Sequence, residues 1–327
     1  MSSWKRTYTS FARFAFADAL DICGVRSGDS VLVPAFICRD ILAPIRERSA
    51  EVVFYDVDKT LKPIVTSQMQ EARAILAVNY FGFSQYLDDL RELASGTGAV
   101  IIEDNAHGYL SRTEFGADLG KRTGIGFTSF RKTVRVVNGA YLDVDLDQFP
   151  IASAHGSDRH SVDTSPLPVG FRLRNLASSV ERTTGLHLMN SGRSIVRTVR
   201  KMSGRPPIPA SHESETSLPP SRVIHSTALT TLNSMDENKE RERRRLLFAQ
   251  VSQEIRGCGH DLVFDVLPNG TVPWCVPFYA HPNDTTRLRR RLKTLGLEVF
   301  LWPDLPDAVR GRCPEHYSQV HAVGMML

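Results

Sequence analysis

Three side chains that could do chemistry together stand near the ends of two apolar runs in the first half of the chain. Asp104 ends the run AVIIED, and His107 follows three residues later. Lys132 ends the segment FTSFRK, three residues after Ser129. A carboxylate at the end of a buried parallel strand lies where open α/β sheets bind ligands. A lysine that is desolvated beside other cations loses part of its preference for the ammonium form and becomes an amine nucleophile toward an aldehyde.

Each of these residues also has a purely structural interpretation. Asp104 could cap the helix or turn that follows its strand, because Asp is common at such junctions. His107 taken alone could be a buried histidine that is hydrogen-bonded to the backbone, and an isolated SxxK most often contributes an exposed loop lysine. The spacing by itself leaves both interpretations open.

The elements that would position these residues alternate between helical patterns and short apolar runs from residue 10 to about residue 145. The predicted strands are Ser30 to Pro34, Glu51 to Tyr55, Ala74 to Asn79, Ala99 to Asp104, Gly124 to Phe130 and Gly139 to Val144. The predicted helices, each with apolar residues on one face, are Phe11 to Cys23, Asp40 to Arg48 and Tyr86 to Ala94. This alternation predicts a mainly parallel sheet with helices on both faces.

The second half of the chain predicts a smaller unit. Residues 203–222 are rich in Pro and Ser and hold few large apolar side chains, which indicates a loop or linker. The pattern that follows predicts one long helix over 232–255, a strand over 274–280, a helix over 285–295 and a strand over 298–301. We therefore expect a large α/β domain over 1–225 and a small α+β domain over 226–327.

The composition is that of an ordinary enzyme rather than a nucleic-acid-binding or membrane protein. The chain has 327 residues, 42% of them hydrophobic, and 40 basic and 36 acidic residues are mixed along it. Its five cysteines form no CxxC pair and no metal-ligand spacing, which favours a reducing compartment, and no run is apolar enough to span a bilayer. We expect a cytoplasmic protein without a metal site. The basic first 17 residues weakly resemble a transit peptide but better fit the start of the fold.

Taken in order, the motifs resemble the DegT/StrS-type sugar aminotransferases, a branch of the fold type I pyridoxal-phosphate (PLP) enzymes. The resemblance runs from about residue 9 to residue 305. It rests on the segments GVRSGDSVLVPAFIC, VVFYDVDKTL, AILAVNYFG, VIIEDNAHG, FTSFRK, VGFRLRN, ENKERERRR and LGLEVFLWPDLP. It implies the aspartate-aminotransferase-like fold, with a large, mainly parallel seven-stranded sheet and a small C-terminal α+β domain.

The resemblance also implies roles for individual residues. Lys132 would hold the cofactor covalently and move the proton between substrate and cofactor, and Asp104 would pair with the pyridinium nitrogen. His107 would face the 3-oxygen of the ring, and Ser129 would help to bind the phosphate. Additional phosphate donors would be backbone groups at a helix N-terminus, from Ser10, Ala12 and Arg13.

The chain departs from the family pattern at several of these positions. Ala12-Arg13 stands where many members have Gly-Thr, which removes a glycine and a hydroxyl but adds a guanidinium. Cys38 stands where an aromatic side chain often stacks on the cofactor ring, and Phe36 is a possible substitute. The lysine segment is also shorter than is usual in the family. Arg172 replaces the Asn of a Gly-x-Asn-x-Arg stretch through which a neighbouring subunit commonly reaches the phosphate.

From this resemblance we expect a homodimeric, PLP-dependent aminotransferase that acts on small molecules. It would transfer an amino group, from glutamate, to a keto-sugar nucleotide or a related secondary-metabolite ketone. Two alternatives remain: another PLP reaction, such as dehydration or decarboxylation, or a non-catalytic relic that binds a partner, which Cys38, Ala12 and the short termini would fit. Arginines at 241–245 and 287–291 could hold the diphosphate of a nucleotide-linked sugar or could form solvated helix faces.

Overall fold

The computed structural model describes residues 3–66, 72–153, 161–172, 212–281 and 283–325. The first part of the predicted linker at 203–222 lies outside these residues, and 212–215 form a short 3-10 turn. Within the described residues no helix is long and apolar enough to cross a membrane.

A seven-stranded sheet forms the base of the molecule, as the sequence predicts. Its strands are β1 (Trp4–Thr9), β2 (Ser30–Pro34), β3 (Glu51–Tyr55), β4 (Ala74–Val78), β5 (Val100–Asp104), β6 (Ile125–Thr128) and β7 (Ala140–Asp145). They lie in the order β1-β7-β6-β5-β4-β2-β3. Only β7 runs antiparallel to its neighbours, and the other pairs are parallel. The sequence analysis did not predict β1, whose apolar and polar residues alternate too weakly to stand out.

Among the described residues before β5, three helices lie close to where the pattern predicts them. They are α1 (Ala12–Ile22), α2 (Ala43–Arg46), which a 3-10 turn over Arg39–Leu42 precedes, and α3 (Asp88–Thr97). Helix α1 buries almost its whole length and packs against β6 and β7. Helix α3 ends at Gly98, which has the left-handed conformation that favours glycine at this position (φ 72°). With α1 packed on β6 and β7 in this way, the N-terminus of α1 lies near the end of β6.

In the part of the second half that the structure describes from residue 212 onward, two helices precede a four-stranded antiparallel sheet. The helices are α4 (Ser226–Ser234) and α5 (Glu237–Gly257), and the sheet has the order β10-β11-β9-β8. Its strands are β8 (Asp261–Leu262), β9 (Cys275–Tyr279), β10 (Val299–Leu301) and β11 (Val320–Gly324), and α6 (Thr286–Lys293) and α7 (Glu315–Gln319) complete the unit. The prediction of one helix over 232–255 is wrong, because Met235 is extended and the Asp236 side chain caps a new helix by accepting from the Lys239 amide.

The two sheets share one apolar core. The same cluster of buried side chains contains Leu32 and Ile75 from the large sheet and Phe278 and Val320 from the small one. The small sheet is therefore packed firmly enough to contribute side chains to a site on the large one. The domain boundary at 225/226 stays a prediction.

Candidate functional site

The candidate site is a pocket at the carboxyl ends of the parallel strands, the edge at which such sheets bind ligands. Strands β4, β5 and β6 end there, and α1 begins there. The pocket is partly open to solvent, and its empty volume, including the open mouth, is about 550 Å³. Its lining consists of Phe11, Ala12, Arg13, Ile37, Cys38, Asp40, Ile41, Val78, Asp104, Ala106, His107, Phe127, Ser129, Arg131, Lys132 and Trp302. The structure thus brings together Asp104, His107, Ser129 and Lys132, as the sequence predicts.

Asp104 is the last residue of β5 and its side chain is almost fully buried, at 6% exposure. Its Oδ1 accepts a hydrogen bond from the Ala106 amide at 2.8 Å, so it caps the turn after the strand rather than a helix. Burial raises the pKa of Asp104 to about 6, although the charge on Lys132 and the Ala106 hydrogen bond oppose the rise. A cation placed beside this carboxylate would favour its charged form.

Lys132 ends a 3-10 turn over Phe130–Lys132 that directly follows β6. The turn closes where the Lys132 amide donates to the Ser129 carbonyl at 3.1 Å. Within the described part of the chain the Nζ atom has no hydrogen-bond or ion-pair partner, and it lies 5.2 Å from the centroid of the Trp274 ring. The amine is half-buried and faces a pocket that holds the Asp104 carboxylate. It is therefore placed to react with a carbonyl carbon of a bound ligand.

His107 is buried with one nitrogen committed to the backbone. Its Nδ1 accepts a hydrogen bond from the Phe81 amide at 3.1 Å, so the neutral ring carries its proton on Nε2. Burial lowers the pKa of His107 well below its ordinary value, and the charge on Lys132 acts in the same direction. The ring is a neutral donor rather than a cation at physiological pH.

The other end of the pocket is suited to an anion. Phe11 is the N-cap of α1 and provides no side-chain cap, and the first turn contains no acidic residue. The amides of this turn therefore have the orientation and partial charge that hold anions at helix N-termini. The Nε atom of Arg131 is buried without a hydrogen-bond partner in the described structure. Burial lowers the pKa of Arg131, with Asp40 opposing and Arg13 reinforcing that effect.

Three of the predicted cofactor-binding residues do not line the pocket. Ser10 is buried beside it, and its hydroxyl donates to the Ser221 carbonyl at 2.6 Å. Phe36 lies behind the pocket wall, fully buried against the Tyr80, Trp302 and Tyr317 rings. Arg172 is exposed. Cys38 does line the pocket, and burial raises the pKa of its thiol to about 12, so the group is a small neutral side chain there.

The site also contains two tryptophans that the sequence analysis did not predict. Trp302 follows β10 and lines the pocket, and Trp274 precedes β9 and stacks on His107 with ring centroids 4.2 Å apart. Both come from the small sheet. Arg131 and Asp40 also line the pocket and were not predicted to bind a ligand. Their positions in the sequence were the signal that could have found the two tryptophans: one begins the predicted strand over 274–280 and the other follows the predicted strand over 298–301. A tryptophan at such a position lies either in the apolar core or in a binding site.

With this geometry established, residues 10–140 match the sequence profile of the DegT/DnrJ/EryC1/StrS aminotransferase family. The matched residues are 131 of the 327 in the chain, and over them the chain is similar to this family. One curated relative is the L-glutamine:scyllo-inosose aminotransferase of Streptomyces griseus, 29% identical over 164 residues, which cover 48% of this chain and 38% of the relative. The matches to the first curated relatives span between 22% and 38% of those proteins' own lengths.

Solved structures establish the fold. A DegT/DnrJ/EryC1/StrS aminotransferase from Brucella abortus has a TM-score of 0.60 at 15% identity, covering 98% of this chain and 80% of its own. The GDP-4-keto-6-deoxy-D-mannose-3-dehydratase of Escherichia coli, solved with bound hydrated PLP, has a TM-score of 0.57 at 14% identity, covering 98% of this chain and 82% of its own. The fold type I assignment is therefore confirmed.

Proposed function

We propose that this protein is a PLP-dependent aminotransferase that transfers an amino group, from glutamate, to a keto-sugar nucleotide or a related ketone. The observation that carries the proposal is the pocket itself, in which Asp104 and Lys132 lie at one end. At the other end lie an uncapped helix N-terminus and Arg131, whose buried Nε atom has no hydrogen-bond partner in the described structure. Few ligands combine an anionic group, a ring nitrogen that can be cationic and a carbonyl carbon that can react with an amine. PLP combines all three, in its phosphate, its pyridinium nitrogen and its aldehyde.

The anion end fits the phosphate of PLP. The amides of Ala12 and Arg13 begin α1 without competition from a capping side chain or a first-turn carboxylate. Ser129 offers a hydroxyl, and the buried Arg131 Nε offers a donor whose hydrogen bond is still unmade. Because burying a guanidinium atom without a partner is costly, a phosphate that accepts from Arg131 would recover that free energy. The substitution of Ala12-Arg13 for Gly-Thr is therefore compatible with cofactor binding.

The other end fits the ring and the reacting carbon. PLP, when bound, supplies an electron sink for negative charge that develops on the substrate Cα. The Asp104 carboxylate would hold a proton on the pyridine nitrogen by electrostatic attraction, and that cation would in turn keep Asp104 charged. The Lys132 amine would carry the cofactor at rest and take up or return the proton at Cα. The His107 Nε2–H would donate to the 3-oxygen of the ring.

The amino-group transfer is supported by the Streptomyces griseus relative, which is an L-glutamine:scyllo-inosose aminotransferase. A dehydratase reaction with the same cofactor is the second candidate, because the Escherichia coli structure with the same fold is a GDP-sugar 3-dehydratase. Amino-donor turnover distinguishes the two. If neither glutamate nor glutamine, which the name of the Streptomyces griseus relative contains, changes the visible spectrum of the PLP-loaded protein, the transaminase assignment is wrong.

Cofactor attachment is tested directly by absorbance and trapping. The purified protein is mixed with PLP, its visible spectrum is recorded, and borohydride reduction followed by peptide mapping identifies the modified lysine. We expect a visible band and a label on Lys132, and both should be lost in Lys132→Ala. Lys121→Ala is the matched control, since Lys121 also lies 5.2 Å from a tryptophan ring but outside the pocket. A band that persists in Lys132→Ala refutes the assignment of this lysine.

We also propose that the enzyme is a cytoplasmic homodimer. Arg172 is exposed, as a residue that reaches a neighbouring subunit would be in a single chain. Light scattering at working concentration tests the dimer. A monomer that still binds PLP with full occupancy would show that the phosphate site is complete within one chain.

A further inference from the structure

Trp274 connects the small sheet to the candidate site. It lies directly before β9, yet its ring stacks on the His107 imidazole with centroids 4.2 Å apart and planes 24° apart. The Phe81 ring lies 5.8 Å from His107 with its plane tilted by 25°, so three rings are close to parallel. Trp302 meets His107 edge-on at 5.2 Å. The imidazole is therefore held by flat contacts as well as by its hydrogen bond to Phe81.

The same indole ring is in contact with Lys132. The Lys132 Nζ atom lies 5.2 Å from the ring centroid, within the range of cation–π contacts. Trp274 does not line the pocket itself. It lies behind the two residues that would act on a ligand and touches both.

The backbone around Trp274 is fixed by a buried arginine. Arg244 of α5 is fully buried, and its Nη1 donates to the carbonyls of Pro273 and Trp274 at 3.1 and 3.2 Å. Its Nη2 donates to the Thr133 carbonyl at 2.8 Å, immediately after Lys132. Glu240 balances the charge through a 2.6 Å hydrogen bond to Nε. One guanidinium thus ties the lysine turn to the tryptophan, and the Trp274 amide completes the arrangement by donating to the Phe81 carbonyl at 2.8 Å.

We propose that Trp274 is a positioning residue, whose indole face holds the His107 imidazole and the Lys132 side chain side by side in the orientation that the site requires. The proposal rests on the proposed role of Lys132 and His107 in cofactor binding. Trp274 would act by excluding water from one face of the imidazole and by keeping the proton-bearing Nε2 directed away from the backbone. The charged and titratable side chains that share the pocket with His107 are Lys132, Asp104, Cys38, Asp40, Arg13 and Arg131.

The test is a histidine titration by NMR on the protein without PLP. The chain has ten histidines, so His107 is assigned by comparison with His107→Gln. In the native protein we expect His107 to stay neutral, with its proton on Nε2, down to acidic pH. In Trp274→Ala one ring face is hydrated, which should raise the pKa of His107 so that it binds protons about tenfold more tightly. Trp274→Phe keeps a ring on that face and should keep the native titration.

Two controls separate this effect from general loosening. His321 is also buried, and its ring lies 5.7 Å from that of Phe278, so its titration should not change in any Trp274 variant. The Trp4 ring lies 5.2 Å from Lys121, the same distance as that between Trp274 and Lys132, but outside the candidate site. Trp4→Leu should therefore leave the pKa of His107 unchanged. If Trp274→Ala does not fold by circular dichroism, Trp274→Leu takes its place with a smaller expected rise.

An unchanged His107 titration in a folded Trp274→Ala or Trp274→Leu protein would overturn the proposal, and so would an equal change in Trp274→Phe. Because PLP is absent from the titration, borohydride trapping at Lys132 tests the proposed function in a separate experiment. A failure of the proposed role of Trp274 can therefore be told apart from a failure of the proposed function.

Discussion

Replacing Asp104 with Asn should make the protein without PLP more stable at neutral and alkaline pH, although it removes the carboxylate on which the proposed function depends. Asp104 is 6% exposed at the end of β5, and burial raises its pKa from 3.8 to about 6. The folded state therefore binds the proton more tightly than the unfolded state does. The contribution of Asp104 to stability is fully present below pH 3.8 and is lost as the pH rises through about 6.

The size of the effect follows from the two pKa values. The difference between 3.8 and about 6, at about 1.4 kcal/mol for each pH unit, gives a cost of about 3 kcal/mol for the charged side chain at pH 8. At pH 4.5 the same relation gives about 1 kcal/mol. Asn is neutral at every pH and its Oδ1 can still accept from the Ala106 amide, so Asp104→Asn removes this cost. It should therefore be more stable than the native protein by these amounts.

Urea unfolding at pH 4.5 and pH 8, monitored by circular dichroism, measures both differences. Asp143→Asn is the control, because Asp143 is also a buried sheet carboxylate but accepts two hydrogen bonds from Arg6, both at 2.7 Å. Losing that charge-assisted pair should destabilise the protein by about 1 kcal/mol at pH 8. If Asp104→Asn is also destabilising at pH 8, the carboxylate is already stabilised in the folded protein and the argument from burial is wrong. With PLP added, Asp104→Asn should lose its advantage because the native carboxylate then has a cation beside it.

Three further predictions follow from other parts of the structure. Gly82→Ala should lower the free energy of unfolding by about 2 kcal/mol or more, measured in urea, because Gly82 has a φ of +95° and a methyl group there would lie 2.7 Å from a backbone carbonyl oxygen. Arg131→Gln should weaken PLP binding about tenfold in equilibrium dialysis, since it removes a charge-assisted donor, whereas Arg112→Gln at the surface should not. Glu215→Gln should destabilise the protein by about 3 kcal/mol, because Glu215 is 1% exposed and paired with Arg39; an unchanged urea midpoint would contradict this.

The strands of the large sheet were predictable because their signal is local. The runs that became β2, β4 and β5 are continuous and apolar, as parallel strands buried on both faces must be, and their ends match within one residue. Edge strand β3 is largely half-buried, but its run EVVFY is still apolar enough to be predicted with its observed ends. The position of Asp104 followed from the end of its strand. Edge strand β1 was missed because its run WKRTYT alternates only weakly between apolar and polar residues.

The amino-acid sequence therefore determined most of the large sheet and the place of Asp104, His107, Ser129 and Lys132 at one edge. Only the tertiary structure decided that Phe36 faces the core and that Asp236 divides the predicted long helix. It alone brought Trp274 and Trp302 onto His107. The physical reason is that strand and helix patterns repeat within a few residues, whereas contacts between residues far apart in the chain depend on how the small sheet packs on the large one, which no local pattern encodes.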